Sequence, residues 1–231
     1  STLIKEFPDK KIALIESPEI ATVGVGESTL QQIRYWSTFL ELDDKEFLKH
    51  CDGTYKLSIQ FTDWYKKGET FHYPFGTPIF ENTSNGFNDW WHKKMLHPET
   101  PYTDFADCYW PQMALVNQNK LSINKNGQFD NFYFFGDTAF HFDATKFGLW
   151  LRDFYCLPKG VVHIKEHITD IKQNENGIES LNEKYKADMY IDCTGFASVL
   201  LGETLKVPFE SYSDILPNNS AWATRLPYKN K

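Results

Sequence analysis

Lys56 lies in the alternating stretch Thr54-Tyr55-Lys56-Leu57-Ser58-Ile59-Gln60-Phe61. At strand period Tyr55, Leu57, Ile59 and Phe61 point one way, and Lys56, Ser58 and Gln60 the other. An amine on that less apolar face is either exposed or aimed into a cavity. Held partly buried it shifts toward the neutral, nucleophilic form, while its protonated form is a compact hydrogen-bond donor. A second kind of chemistry is offered by Thr22-Val23-Gly24-Val25-Gly26-Glu27-Ser28-Thr29. Gly24 and Gly26 carry no Cβ, so backbone there can approach a flat or charged ligand; alone, the pair also fits a tight loop. Glu27 could act as a general base, but capping or bracing the loop suits it better. Glu16 ends the apolar run Ile12-Ala13-Leu14-Ile15, and Asp192-Cys193-Thr194-Gly195-Phe196 ends a later one. In a dinucleotide-binding sheet an acid at such a strand end takes a ribose hydroxyl. His163 and His167 share a strand face without a third ligand nearby, and the four cysteines form no C-x-x-C pair. No metal site is expected.

The elements that must hold these residues can be read in order. Ser1–Lys10 has Leu3, Ile4 and Phe7 at helical spacing and stops near Pro8; Lys11–Glu16 reads as a buried strand. Ser28–Leu42 reads as a helix capped by Ser28 or Thr29, with Leu30, Ile33, Trp36 and Phe39-Leu40 on one face. Asp43–His50 is a second helix with Asp43 as its cap. Residues 65–136 are loop-rich and aromatic, with short helices expected at 88–96 and 111–119 and a strand or surface arm at Gly127–Phe135. Asp143 caps a helix carrying Phe147, Leu149-Trp150-Leu151 and Phe154. Short strands follow at Val161–Ile164, Ile168–Lys172 and Ile178–Leu181, with Asn176-Gly177 as a hairpin turn. Ala187–Asp192 is expected as a buried strand and Ser220–Leu226 as another. The ends at Glu16, Val23–Thr29 and Asp192–Phe196 are expected to converge on one crevice of a doubly wound sheet. The glycine fingerprint of such a unit would precede Glu16 by about 20 residues, which places it before Ser1.

Composition narrows the function classes. The chain has 231 residues and a net charge of −7, with no basic stripe to neutralise phosphates, so nucleic acid is not the expected partner. No apolar run reaches the roughly 18 residues a membrane span needs, and no signal peptide opens the sequence. A reduced, cytoplasmic protein fits the scattered cysteines. Aromatic residues make up 16% of the chain, concentrated between Phe61 and Phe154. They build a core, and they also line pockets for flat ligands.

Taken together, the motifs Val23–Thr29, Thr54-Tyr55-Lys56, Phe71–Gly76, His141-Phe142-Asp143, Asp192–Phe196 and Tyr212-Ser213-Asp214 with Ala223-Thr224 resemble, in that order, the flavin-dependent tryptophan halogenases. The resemblance implies an α/β fold: an FAD-binding Rossmann-like domain of the flavoprotein monooxygenase type with an inserted aromatic-rich substrate region. It divides the chain into a partial FAD-binding domain (1–64), a substrate-facing insertion (65–140), and a return to the FAD-binding sheet (141–231) that begins a substrate domain. It implies that FAD, reduced by a separate flavin reductase, yields hypohalous acid from O2 and halide, and that the acid travels through a tunnel to an aromatic substrate. Lys56 falls on the catalytic lysine, as hydrogen-bond donor to hypohalous acid or as carrier of the halogen. Glu16, Val23, Gly24, Val25, Gly26, Glu27, Ser28, Thr29, Asp192 and Gly195 fall on the flavin side, the Val23–Thr29 loop being the strap between flavin and substrate. Phe75 falls on an aromatic that packs against the substrate indole. Tyr73 stands where the family often has His, which leaves free indole or another electron-rich aromatic open beside tryptophan. The phosphate-binding turn, the Trp-x-Trp-x-Ile-Pro signature, the catalytic glutamate and the halide site have no counterpart in the sequence, so poor FAD binding and no turnover are expected of this stretch alone. A flavin hydroxylase on the same scaffold would need NAD(P)H and no lysine at position 56; a non-catalytic flavin- or ligand-binding protein would lack the Trp-x-Trp-x-Ile-Pro signature or the distal glutamate in its full-length sequence.

Overall fold

Two aspartates start the helices around which half of the chain packs. Asp43 accepts a hydrogen bond from the Lys45 amide (2.8 Å) ahead of Asp44–His50, whose first turn holds Asp44 and Glu46 and whose last holds Lys49 and His50. Asp143 does the same for the Lys146 amide (3.0 Å) ahead of Ala144–Trp150. Each cap satisfies an amide the first turn leaves unpaired, and the charge order of the first helix matches its dipole. The structure, a computed structural model, describes residues 1–20, 27–79, 87–121, 128–129, 132–222 and 224. Its α-helices are α1 (Thr2–Glu6), α2 (Ile33–Phe39), α3 (Asp44–His50), α4 (Asn88–Leu96), α5 (Thr103–Tyr109), α6 (Met113–Asn117) and α7 (Ala144–Trp150), with π or 3-10 turns at Leu151–Cys156, Leu157–Lys159, Gly195–Ala197 and Val199–Thr204. Its strands are β1 (Ala13–Glu16), β2 (Glu27–Ser28), β3 (Thr54–Lys56), β4 (Ser58–Thr62), β5 (Thr70–Pro74), β6 (Gln128–Phe129), β7 (Phe132–Tyr133), β8 (Ala139–Phe142), β9 (Val162–Lys165), β10 (Ile171–Asn174) and β11 (Gly177–Leu181).

The chain divides into two compact units, Ser1–Pro8 with Gly24–Lys159, and Asp9–Val23 with Gly160–Lys231. In the first, β2, β8 and β3 form an antiparallel sheet in that order. Alternation sends Phe140 and Phe142 of β8 into a core with Phe47, Leu48, Cys51 and Trp150, against which Tyr55 of β3 also packs. Phe47 meets Phe140 edge to face at 5.0 Å, and Phe142 lies 4.4 Å from Phe147. Ser28, Thr54 and His141 stand in register on the opposite face, with Lys56 opposite Ala139 beside them. The chain then passes from β3 through Leu57 into the β4–β5 hairpin. In the second unit β1 and β9 pair in parallel, from Ala13 with Val162 to Glu16 with Lys165, and β10 and β11 form a hairpin closed at Gly177 (φ +120°).

Several expectations are corrected. The helix expected over Ser28–Leu42 is confined to Ile33–Phe39: Ser28 belongs to β2, and the Thr29 hydroxyl is engaged by Phe140 rather than by a helix start. The single strand expected from Tyr55 onward is two strands in two sheets, because β3 pairs with β8 and β4 with β5. Helix α5 was concealed by its aromatic content, which reads equally as pocket lining. Strand β1 exists but is mostly exposed, since one parallel neighbour covers an edge and not a face. Ala187–Asp192 is not a strand; no described strand pairs with it, and Met189 and Ile191 are exposed. Ser220–Trp222 forms no strand, and the rest of that expected element lies largely outside the described residues.

Candidate active site around Lys56

Lys56 is only 7% exposed. Its Nζ donates to Ser28 Oγ (2.9 Å) and to the Thr29 carbonyl (2.9 Å), and lies 5.3 Å from the centre of the Phe75 ring. Among the described residues no carboxylate pairs with it. Burial without a counter-ion lowers the pKa of the amine below its usual 10.5. The two acceptors fix the direction of the amine.

The neighbours are held as firmly as the lysine. The Thr29 amide and hydroxyl both donate to the Phe140 carbonyl (2.9 and 3.1 Å), and the Phe140 amide donates back to Thr29 Oγ1 (2.9 Å). Phe75 is 2% exposed; its amide donates to the Leu57 carbonyl (2.9 Å), and its own carbonyl accepts from Gln112 Nε2. The Gly76 amide donates to Gln31 Oε1 (2.8 Å). Gly76 has φ +83°, and a Cβ there would stand 2.6 Å from Asp137 Cγ, so both conformation and space demand glycine. Beneath the sheet, Arg34 (4% exposed) pairs with Asp44 at 2.7 Å, donates to the Phe135 carbonyl (2.9 Å) and lies over the Phe140 ring at 4.8 Å. Asp44 also accepts from the Tyr55 hydroxyl (3.2 Å). Burial, followed by the Asp44 charge, raises the pKa of that phenol.

Beside Lys56 runs a cleft of about 360 Å³, lined by Thr54, Ser58, Asn119, Lys120 and His141 and by the apolar Leu57, Leu115, Val116 and Leu121. Burial, with the Lys56 charge adding to it, lowers the pKa of His141. The arrangement is an amine whose charge burial disfavours, an aromatic ring facing it, and beside them a mixed polar and apolar cleft of the size of a small aromatic ligand.

The structure thus brings Ser28, Thr29, Lys56 and Phe75 together. Tyr73 does not join them: it pairs with Ile59 in the hairpin and is 62% exposed. Glu27 pairs with Phe142 in β2 and is exposed. Val23, Gly24, Val25 and Gly26 lie outside the described residues. Glu16, Asp192 and Gly195 belong to the second unit. There Glu16 ends a parallel strand, where a carboxylate suits a ribose hydroxyl, and His163 Nε2 lies 2.9 Å from its Oε1. His167 Nδ1 is 3.1 Å from Ser17 Oγ. Asp192 receives the Thr194 amide and hydroxyl on Oδ1 and the Leu200 and Leu201 amides on Oδ2. Burial opposes its charge, but these donors hold its pKa below the ordinary value. Its carboxylate braces the turn, and Gly195 (φ +65°) gives that turn its left-handed residue. The residues present therefore suit a flavin nucleotide at Glu16, and at 192–196 through backbone more than side chain.

Sequence reasoning gave Ser58, His72 and His141 no site role, although Ser58 was placed on the face of Lys56 and His141 within a motif. His72 had a signal, since it adjoins Tyr73, and a one-residue step along a strand moves a side chain to the other face. His72 Nδ1 lies 3.0 Å from Ser58 Oγ.

Residues 1–231 match the tryptophan halogenase family model. The tryptophan 6-halogenase SttH of Streptomyces toxytricini is 33% identical, over 98% of this chain and 47% of its own length. The 7-chloro-L-tryptophan 6-halogenase KtzR of Kutzneria sp. (strain 744) is 31% identical, over 96% of this chain and 46% of its own. Among solved structures, apo VirX1 superposes with a TM-score of 0.87 at 40% identity, over 99% of this chain and 45% of VirX1. The crystal structure of SttH gives 0.78 at 32%, over 94% of this chain and 43% of that one. The chain spans just under half the length of these relatives. Its fold class is that of the flavin-dependent halogenases, an FAD-binding Rossmann-like α/β fold.

Proposed function

Because this chain belongs to the tryptophan halogenase family, we propose that the whole protein halogenates an electron-rich aromatic such as tryptophan or indole, with Lys56 as its catalytic amine. The observation that carries this reading is the environment of Lys56: buried, without a carboxylate partner among the described residues, tied to Ser28 and Thr29, and facing Phe75. The bonds to Ser28 and Thr29 fix the direction of the amine, so an arriving hypohalous acid or halogen electrophile meets a group already oriented. Phe75 supplies an aromatic wall for the substrate ring, and Tyr73, turned outward, leaves ring size and substituents less restricted than an inward side chain would. Reduced FAD, when bound, would supply the hypohalous acid from O2 and halide. Glu16 would hold the ribose of that cofactor, the Val23–Thr29 loop would run between cofactor and lysine, and the 192–196 turn would present backbone amides to it. A separate flavin reductase would deliver the reduced cofactor, in the cytoplasm.

The test is Lys56→Ala in the full-length protein with a flavin reductase, halide and a panel of indoles, product being followed by mass spectrometry. Halogenated product from the wild type should fall by at least about a hundredfold in the variant while circular dichroism is unchanged. Retention of more than a tenth of the activity would remove Lys56 from the chemistry.

A further inference from the structure

Lys56 makes both of its hydrogen bonds at Ser28 and Thr29, beside a strand that its own strand does not adjoin. The sheet order is β2-β8-β3, with Ser28 on β2 and Lys56 on β3. Two strand spacings come to about 9.6 Å, so the lysine has to lie extended across the whole width of β8. Register fixes where it crosses. Lys56 stands directly opposite Ala139 and Ser28 directly opposite His141, all four on one face of the sheet. The stem therefore leaves β3 beside Ala139 and passes diagonally between Ala139 and His141. Ala139 is 0% exposed, and the other face of β8 is committed to the core through Phe140 and Phe142. A strand has no need of alanine there, since β-branched and aromatic side chains suit a pleated surface better.

We propose that Ala139 is a positioning residue for Lys56: its small side chain leaves a groove across β8 through which the lysine stem reaches Ser28 and Thr29. Side chains on a strand stand roughly perpendicular to the sheet, so a longer one at 139 would occupy the space the stem crosses. The amine would then lose both acceptors and turn toward solvent, where nothing disfavours its charge. His141 bounds the groove on its other side. Burial, and then the Lys56 charge, lower the pKa of that imidazole, so at pH 7 it is neutral and adds no second cation beside the stem. The consequence for turnover rests on the function proposed above, because a reacting group moved by about 1 Å can lose roughly a hundredfold in rate. The groove itself rests on register and burial alone.

The experiment compares wild type, Ala139→Leu, Ala139→Gly, Lys56→Ala and the double variant Lys56→Ala with Ala139→Leu in the full-length protein. Its first readout needs no turnover: folded protein is acetylated with an N-hydroxysuccinimide ester or alkylated with iodoacetamide, and the labelled peptides are quantified by mass spectrometry. In the wild type Lys56 should be acetylated at least about tenfold more slowly than the exposed Lys120, and Ala139→Gly, which keeps the groove open, should preserve that protection. Ala139→Leu should bring Lys56 to within about threefold of Lys120, while Cys51, 0% exposed in the core, stays unalkylated. Denaturant midpoints complete the comparison: leucine should lower the midpoint when Lys56 is present and leave it unchanged in the Lys56→Ala background. Continued protection of Lys56 in Ala139→Leu overturns the proposal, as does an equal drop in midpoint in both backgrounds. Should Ala139→Leu alone fail to fold, folding regained in the double variant supports the groove, and folding still lost overturns it. With reductase, halide and indoles, Ala139→Leu should lower kcat by about tenfold or more. A wild type that makes no halogenated product removes the function proposed above and leaves the labelling and midpoint results to decide the groove.

Discussion

At the scale of single residues, Lys56 and Arg34 show two ways of keeping a cation out of water. Arg34 has a counter-ion in Asp44, a backbone acceptor and an aromatic face; Lys56 has acceptors and an aromatic face but no counter-ion among the described residues. Removing Asp44 leaves Arg34 charged and uncompensated, and Asp44→Ala should cost about 3–5 kcal/mol in a denaturant titration, whereas Arg34→Met with Asp44→Leu should cost far less. The lysine has the reverse signature. Its pKa is lower folded than unfolded, so the unfolded chain binds the extra proton, and stability climbs as pH rises from the folded pKa toward 10.5. A residue that lowers the stability of its own fold at neutral pH is kept for what it does, a sign that chemistry and not packing placed Lys56 there.

At the scale of elements, the two Asp-capped helices are where local sequence speaks most clearly. Asp43→Ala should lower stability by about 1 kcal/mol, and Gln32→Ala, at the start of α2 with no side-chain cap bond, should change it little, as read from paired melting curves. Caps, helical stripes and the Asn176-Gly177 turn are legible because each depends on residues within a turn or two of one another. The site was legible in part for the same reason: Lys56 is conspicuous in an alternating stretch, and Ser28 and Thr29 follow the glycines. That Ser28 and Thr29 serve β8 and Lys56 instead of opening a helix depends on Phe140, which is 111 residues from Thr29. The break between β3 and β4 has a similar origin, since it is set by which strand pairs with each half. His72 was passed over because its partner Ser58 is identified only by hairpin register, and Ala187–Asp192 was misread because an apolar run states a need for neighbours without naming them.

At the scale of the whole molecule, acid should act first on the two histidines whose pKa values are lowered. His72 and His141 have lowered pKa values, so each contributes stability that is present above 6.5 and lost as pH falls through that value toward its folded pKa. Denaturant midpoints should therefore drop between pH 7 and 5, before the carboxylates titrate, and His72→Gln with His141→Gln should flatten that interval; an unchanged slope would remove the histidines as its cause. The second unit is assembled from Asp9–Val23 and from Gly160–Lys231, and its parallel pair joins Ala13 to Val162. During translation β1 therefore leaves the ribosome roughly 7 to 30 s ahead of the strand it will bond. For that interval its amides and carbonyls are open to any passing edge, so a nascent-chain chaperone or the prior collapse of Gly24–Lys159 decides how much newly made protein escapes aggregation.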